Sequence, residues 1–141
     1  MSVPEEVARR RASRTSIRLA PGEAGLSLAR QFAVRASEAA GWHDHVDDVA
    51  MLASELATNA VLHGARPIAI TVEASADRLR VEVMDAAPSM PVELDAGPEL
   101  EAGRGLAIVA ALAHQWGAER LPGSGKVVWA ELRHEAPRAL E

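Results

Sequence analysis

Three groups of residues in this chain have the types and spacing to do chemistry. The first is Glu55, Asn59 and His63, spaced i, i+4, i+8. On a helix turning by ~100° per residue, that spacing makes one slowly drifting stripe. Measured from Val49, the three lie at roughly 240°, 280° and 320°. On the same reckoning the apolar stripe of Val49, Leu52, Ala53, Leu56 and Ala60 centres near 0°, roughly a quarter-turn from Asn59. The polar stripe therefore borders the core, where polar groups need partners. A carboxylate at such an edge can accept a proton. An amide oxygen is a hard ligand suited to Mg²⁺. The second group is Asp85, at the end of an alternating apolar run and the start of an irregular stretch. A buried Asp there can accept a hydrogen bond from a ligand's amino group. The third is Gly103-Arg104-Gly105-Leu106, where two glycines and the free N–H groups of a helix start make an anion site. Each group alone also fits a plainer role: side chains satisfied by nearby loops, a turn aspartate, and loop-to-helix punctuation.

The elements that must position these residues follow from periodicity. Arg14 to Leu19 alternates and reads as a strand. Pro21-Gly22 is a turn signal, and Glu23 to Ala40 reads as a helix stopped by Gly41. Asp44 to His63 reads as a second amphipathic helix ended by Gly64. Ile68 to Glu73 and Leu79 to Met84 alternate around Ser75, Ala76 and Asp77, which predicts a hairpin. Asp85 to Gly103 has no periodicity and contains Pro88, Pro91, Pro98 and Gly97; a loop this long is usually functional or disordered. Arg104 to His114 reads as a helix, Gln115 to Arg120 as a strand, Leu121 to Gly125 as a turn and Val127 to Leu132 as a last strand. The predicted class is α+β: a two-layer sandwich with a mixed, mostly antiparallel sheet covered on one face by about three helices. Residues 1–13 read as a mobile basic arm, 14–133 as the domain and 134–141 as a C-terminal tail.

Composition narrows the classes. At 141 residues the chain fits one domain, and 48% hydrophobic with 25% charged residues is a globular balance. No cysteine is present, which excludes a disulfide framework, thiol catalysis and cysteine–zinc sites. No apolar run reaches the ~20 residues of a membrane helix, and no signal peptide is read, so the expected compartment is the cytoplasm. A net charge of −5 argues against direct nucleic-acid binding. The basic cluster Arg9, Arg10, Arg11, Arg14 and Arg18 reads as a solvated arm or a partner-docking one. Lys126 is the sole lysine among many arginines, a bias that reads as genome composition rather than chemistry. His43, Asp44, His45, Asp47 and Asp48 read as a solvated helix start, its acids favoured by the helix dipole. Gly125-Lys126-Val127 is no P-loop, since Arg120 and Val127 replace required residues.

In order and spacing the motifs resemble a known family. The run Glu55-Leu-Ala-Thr-Asn59-Ala-Val-Leu-His63 resembles the N-box of the histidine-kinase-like ATPases, which include gyrase, Hsp90 and histidine kinases. Asp85 resembles the start of the G1 box, and Gly103-Arg104-Gly105-Leu106 the G2 box. The stretch from Gly125 to Leu132 looks like the family's last strand. The likeness spans about Arg14 to Arg133, and the short lone domain most resembles the anti-sigma-factor serine kinases of actinobacteria. It implies a Bergerat-type site for ATP and Mg²⁺. Asn59 would be the metal ligand and Glu55 the general base. Asp85 would take the adenine amino group, Gly103, Arg104 and Gly105 would cap the phosphates, and residues 86–103 would form a lid. His63, Ala87 and Leu106 fall in the same boxes and count as nucleotide-binding positions. The chain departs from the pattern at Asp85-Ala86-Ala87-Pro88-Ser89, where the family has Asp-x-Gly-x-Gly. Ala87 carries a Cβ where that Gly lets the backbone approach adenine. Val127 stands where relatives often have a Thr that helps hold the base.

The activity so implied is that of an ATP-dependent serine kinase that also sequesters a sigma factor. Its implied substrate is a small anti-sigma-factor antagonist carrying the target serine. Relatives often dimerise, so a homodimer belongs to the expectation; a membrane partner does not. Three rivals stay open: a partner-switch module that holds its targets without phosphorylating them, a plain ATPase in which Glu55 activates water, and a purely structural domain that binds no nucleotide.

Overall fold

The computed structural model describes residues 12–88 and 101–134, with 101–105 described by backbone alone. Among the described residues, five strands and three α-helices follow one another in the order β1 (Ser13–Arg18), α1 (Gly22–Ala39), α2 (Val46–His63), β2 (Ala69–Ala74), β3 (Arg78–Asp85), α3 (Glu101–Leu112), β4 (Gln115–Arg120) and β5 (Lys126–Arg133). A 3-10 turn, His43–His45, leads into α2. The strands form one sheet in the order β1-β2-β3-β5-β4. Every pairing is antiparallel, so the α+β sandwich has an antiparallel sheet rather than a mixed one.

The period-2 patterns set which face is buried. Ile70, Val72 and Ala74 of β2 lie opposite Val83, Val81 and Leu79 of β3. Those three in turn lie opposite Val128, Ala130 and Leu132 of β5. All are buried and form one continuous apolar surface. On the other face Arg80 bonds Glu82 at 2.9 Å and Glu131 at 3.2 Å, and its guanidinium lies 4.2 Å from the Trp129 ring centroid. The sequence therefore assigns one apolar and one polar face, and the helices cover the apolar one.

The helix α2 is central. It packs between α1 and α3 and over β3. Its buried residues are Val49, Leu52, Ala53, Leu56, Ala57, Asn59 and Ala60. Burying leucines such as Leu52 and Leu56 contributes about 1.5–3 kcal/mol each, which fixes how α2 is rotated on the sheet. Gly41, at φ +89°, ends α1 in the left-handed region as its position after the helix requires. The following Trp42 is buried, and its indole Nε1–H donates to Ser75 O at 2.8 Å. That bond pins the start of α2 to the β2–β3 hairpin. Helix α3 begins at Glu101, three residues before its predicted start, and buries Leu106 and Val109.

Candidate active site

The polar stripe of α2 lies where its spacing placed it, at the margin of the core. Asn59 is 5% exposed, Glu55 is half-buried and His63 is exposed in the last turn. Glu55 is not a free side chain. Asn59 Oδ1 is buried and accepts no hydrogen bond. That is the state among the described residues; an unpartnered buried amide oxygen costs about 1–3 kcal/mol, so this atom is free to accept a ligand.

The second part of the site forms where α2 ends and β3 ends. Gly64 and Ala65 carry the chain out of α2, and Ala86 N–H donates to Ala65 O at 2.7 Å. Asp85 is 2% exposed and lies beside this join. Its Oδ1 accepts from Ala87 N–H at 2.8 Å and from Ala65 N–H at 3.3 Å. The fit around the carboxylate is close: a Cβ on Gly64 would come within 2.5 Å of Asp85 Cγ. Behind it, Gly125 sits at φ +101°, and a Cβ there would fall 2.5 Å from Asp85 O. Glycine is thus required at both places, for close approach at Gly64 and for the left-handed backbone as well at Gly125. Ser124 Oγ–H donates to Ala86 O at 3.1 Å and joins the turn before β5 to the segment after β3.

The third part is a residue that sequence reasoning passed over. Asp85 lies directly opposite Lys126 in the β3–β5 register. Lys126 is 1% exposed, and its Nζ donates to Asp85 Oδ1 at 3.1 Å and stands 3.0 Å from Oδ2. Oδ2 nevertheless takes no hydrogen bond of good geometry. Val127, expected at the base-holding position, pairs with the exposed Met84 and belongs to the opposite face. The place facing Asp85 is held by an ammonium group. A signal for it was present in the sequence: Lys126, Val128, Ala130 and Leu132 continue one period-2 series. Starting the strand at Val127 cut the series one residue short.

The remaining predicted positions divide. Ala87 is buried, and its N–H donates to the Asp85 carboxylate. Gly103, Arg104 and Gly105 lie within the first turns of α3, not in a loop ahead of it. Leu106 is 2% exposed. Helix α3, which includes the predicted anion-binding segment, packs against α2, the helix that carries Asn59. The lid predicted over 86–103 has only residues 86–88 and 101–103 among those described; the segment between lies outside them.

The two ends of the arrangement differ in their fit to a metal-bound nucleotide. Asn59 Oδ1 is a hard, unpartnered, buried oxygen, which suits Mg²⁺. Asp85 keeps an unpartnered oxygen too, but an ammonium stands beside it. Among the described residues, no group of three or more His, Cys, Asp or Glu side chains could hold a metal by itself. A single amide ligand agrees with that, since Mg²⁺ in phosphoryl-transfer sites is held by few protein groups together with phosphates. None of the described helices is long and apolar enough to cross a membrane.

Comparison with known proteins agrees with the geometry. No curated protein matches the chain. A family model, the histidine kinase-like ATPase domain, matches residues 11–132, nearly the whole chain. The chain belongs to the histidine kinase-like ATPase domain family.

Proposed function

We propose that this domain binds Mg-ATP and transfers the γ-phosphoryl group to a serine of a partner protein, acting in bacteria as a regulator that also sequesters a sigma factor. The observation that carries the reading is the buried, unpartnered Oδ1 of Asn59, one helical turn from Glu55. In this reading Asn59 would hold Mg²⁺, which would supply charge neutralisation at the phosphates. Glu55 would accept the proton of the serine hydroxyl as that oxygen bonds to the γ-phosphorus and the bond from the γ-phosphorus to ADP breaks, releasing ADP. The packed α2 stripe holds both side chains in fixed relation, so the protein contributes mainly positioning. The segment at the start of α3 supplies backbone N–H groups toward the phosphates. The substrate under this reading is a small anti-sigma-factor antagonist, and a homodimer is the expected assembly.

A second reading is favoured by Ala87 and by the Lys126–Asp85 pair, both of which alter the base end. In it the domain holds its partners without phosphorylating them. Incubation with γ-labelled ATP and the candidate antagonist separates the two. The kinase reading expects label on the antagonist from wild type and at least ~10²-fold less from Glu55→Gln. Partner binding without label from either form would replace it with the non-catalytic module. Release of ADP without any protein substrate would instead mark a plain ATPase.

A further inference from the structure

The single lysine of this chain is among its most buried residues, which is unusual for that side chain. Fourteen other basic positions carry arginine, so lysine is retained at one place only. That place is opposite Asp85, on the helix-covered face, at the end of the row formed by Val83 and Val128. A compact ammonium with three donors fits a closed pocket that a planar guanidinium would not. The pocket is closed by measure: the Asp85 and Lys126 side chains are each 1% exposed. The carboxylate is further fixed by Ala87 N–H and Ala65 N–H. Gly64 lies close against it: a Cβ there would come within 2.5 Å of Asp85 Cγ and 2.7 Å of Oδ2.

We propose that Lys126 is a specificity residue: its ammonium takes the place at Asp85 that a nucleotide's exocyclic amino group would fill, so the domain binds purine nucleotides without reading that group. The proposal rests on the ATP-site reading above. Its chemistry is substitution of one N–H donor for another. Asp85 has one oxygen saturated by three donors and a second faced at 3.0 Å by Nζ. Oδ2 is buried with Nζ 3.0 Å away, so an amino group placed on it would compete with the ammonium for that space, and expelling the ammonium would strand a charge in the interior. Affinity is therefore left to the phosphate and metal end, where Asn59 Oδ1 is unpartnered.

The test compares Mg-ATP with the triphosphate of purine riboside, which lacks the amino group, by calorimetric titration of wild type and Lys126→Thr. Wild type is expected to bind the two within about threefold of each other. Lys126→Thr frees the carboxylate and should bind Mg-ATP about tenfold tighter than wild type does, with a similar preference over the analogue, the scale of a hydrogen bond to a charged group. If both proteins bind Mg-ATP but the variant is neither tighter nor more selective, the role of Lys126 is refuted and the ATP reading stands. If neither binds any Mg-nucleotide, both fall. Should Lys126→Thr not fold, wild type decides alone: a preference for ATP of about tenfold or more would show that Asp85 reads the amino group with Lys126 in place, and equal affinities would support the substitution.

Discussion

The two ends of the site are built from opposite kinds of polar burial. At one end Asn59 is buried with its amide oxygen unpartnered, on a helix whose apolar stripe alone determines its position. At the other end Asp85 is surrounded: two backbone N–H groups, a lysine ammonium and two close glycines enclose it. The first end has no partner for its oxygen among the described residues. The second is enclosed by its own chain, with only Oδ2 lacking a hydrogen bond of good geometry and an ammonium 3.0 Å from it. A polar group left open at a fold's margin is a place for a ligand, whereas one closed by its own chain contributes to the fold.

That contrast predicts unequal responses to mutation. The largest effect belongs to Asp85→Ala, which leaves the Lys126 ammonium buried without a counter-charge and orphans two N–H groups. It should cost about 3–5 kcal/mol, read as a lowered denaturation midpoint in urea. A cost below about 1 kcal/mol would mean that the pair behaves as an exposed one and that the closed end is not closed. Next comes Gly64→Ala, whose Cβ would meet Ala60 O and Asp85 Cγ, both at 2.5 Å. Overpacking of that kind should cost about 1–3 kcal/mol, visible as a lower Tm. An unchanged Tm would show that the join between α2 and β3 has slack. The smallest effect is expected for Asn59→Ala. Loss of a buried oxygen that has no partner removes a desolvation penalty, which offsets the lost contacts, so stability should change by less than about 1 kcal/mol. A large loss would place Asn59 within the structural network and erase the difference between the two ends.

The same contrast explains what could be read from the sequence. The apolar stripe of α2 dictates the rotation of that helix, so the positions of Glu55 and Asn59 followed from spacing alone. Asp85 was legible because it ends an alternating run, and alternation decides which face a strand residue takes. Lys126 was not legible as a partner of Asp85. Their meeting depends on the β3–β5 register between strands 41 positions apart, which no local pattern encodes. Val127 was misplaced for a related reason, since a slip of one residue moves a side chain to the opposite face. Gly103 was read as the end of the loop, yet α3 runs through it; glycine lowers helix propensity by only about 1 kcal/mol per residue, and packing of Leu106 and Val109 offsets it. Lys126 was read as composition rather than chemistry, yet the chain's one lysine is a residue its interior holds.

Thermal melting with and without Mg-ATP, for wild type beside Asn59→Ala, tests most directly whether the open end takes a metal-bound nucleotide. A ligand at 100 times its Kd should stabilise wild type by about 2.7 kcal/mol, a shift of several degrees in a domain of this size. The account predicts that this shift requires Mg²⁺ and disappears in Asn59→Ala. A shift of the same size in the variant, or none in wild type at millimolar Mg-ATP, would contradict it.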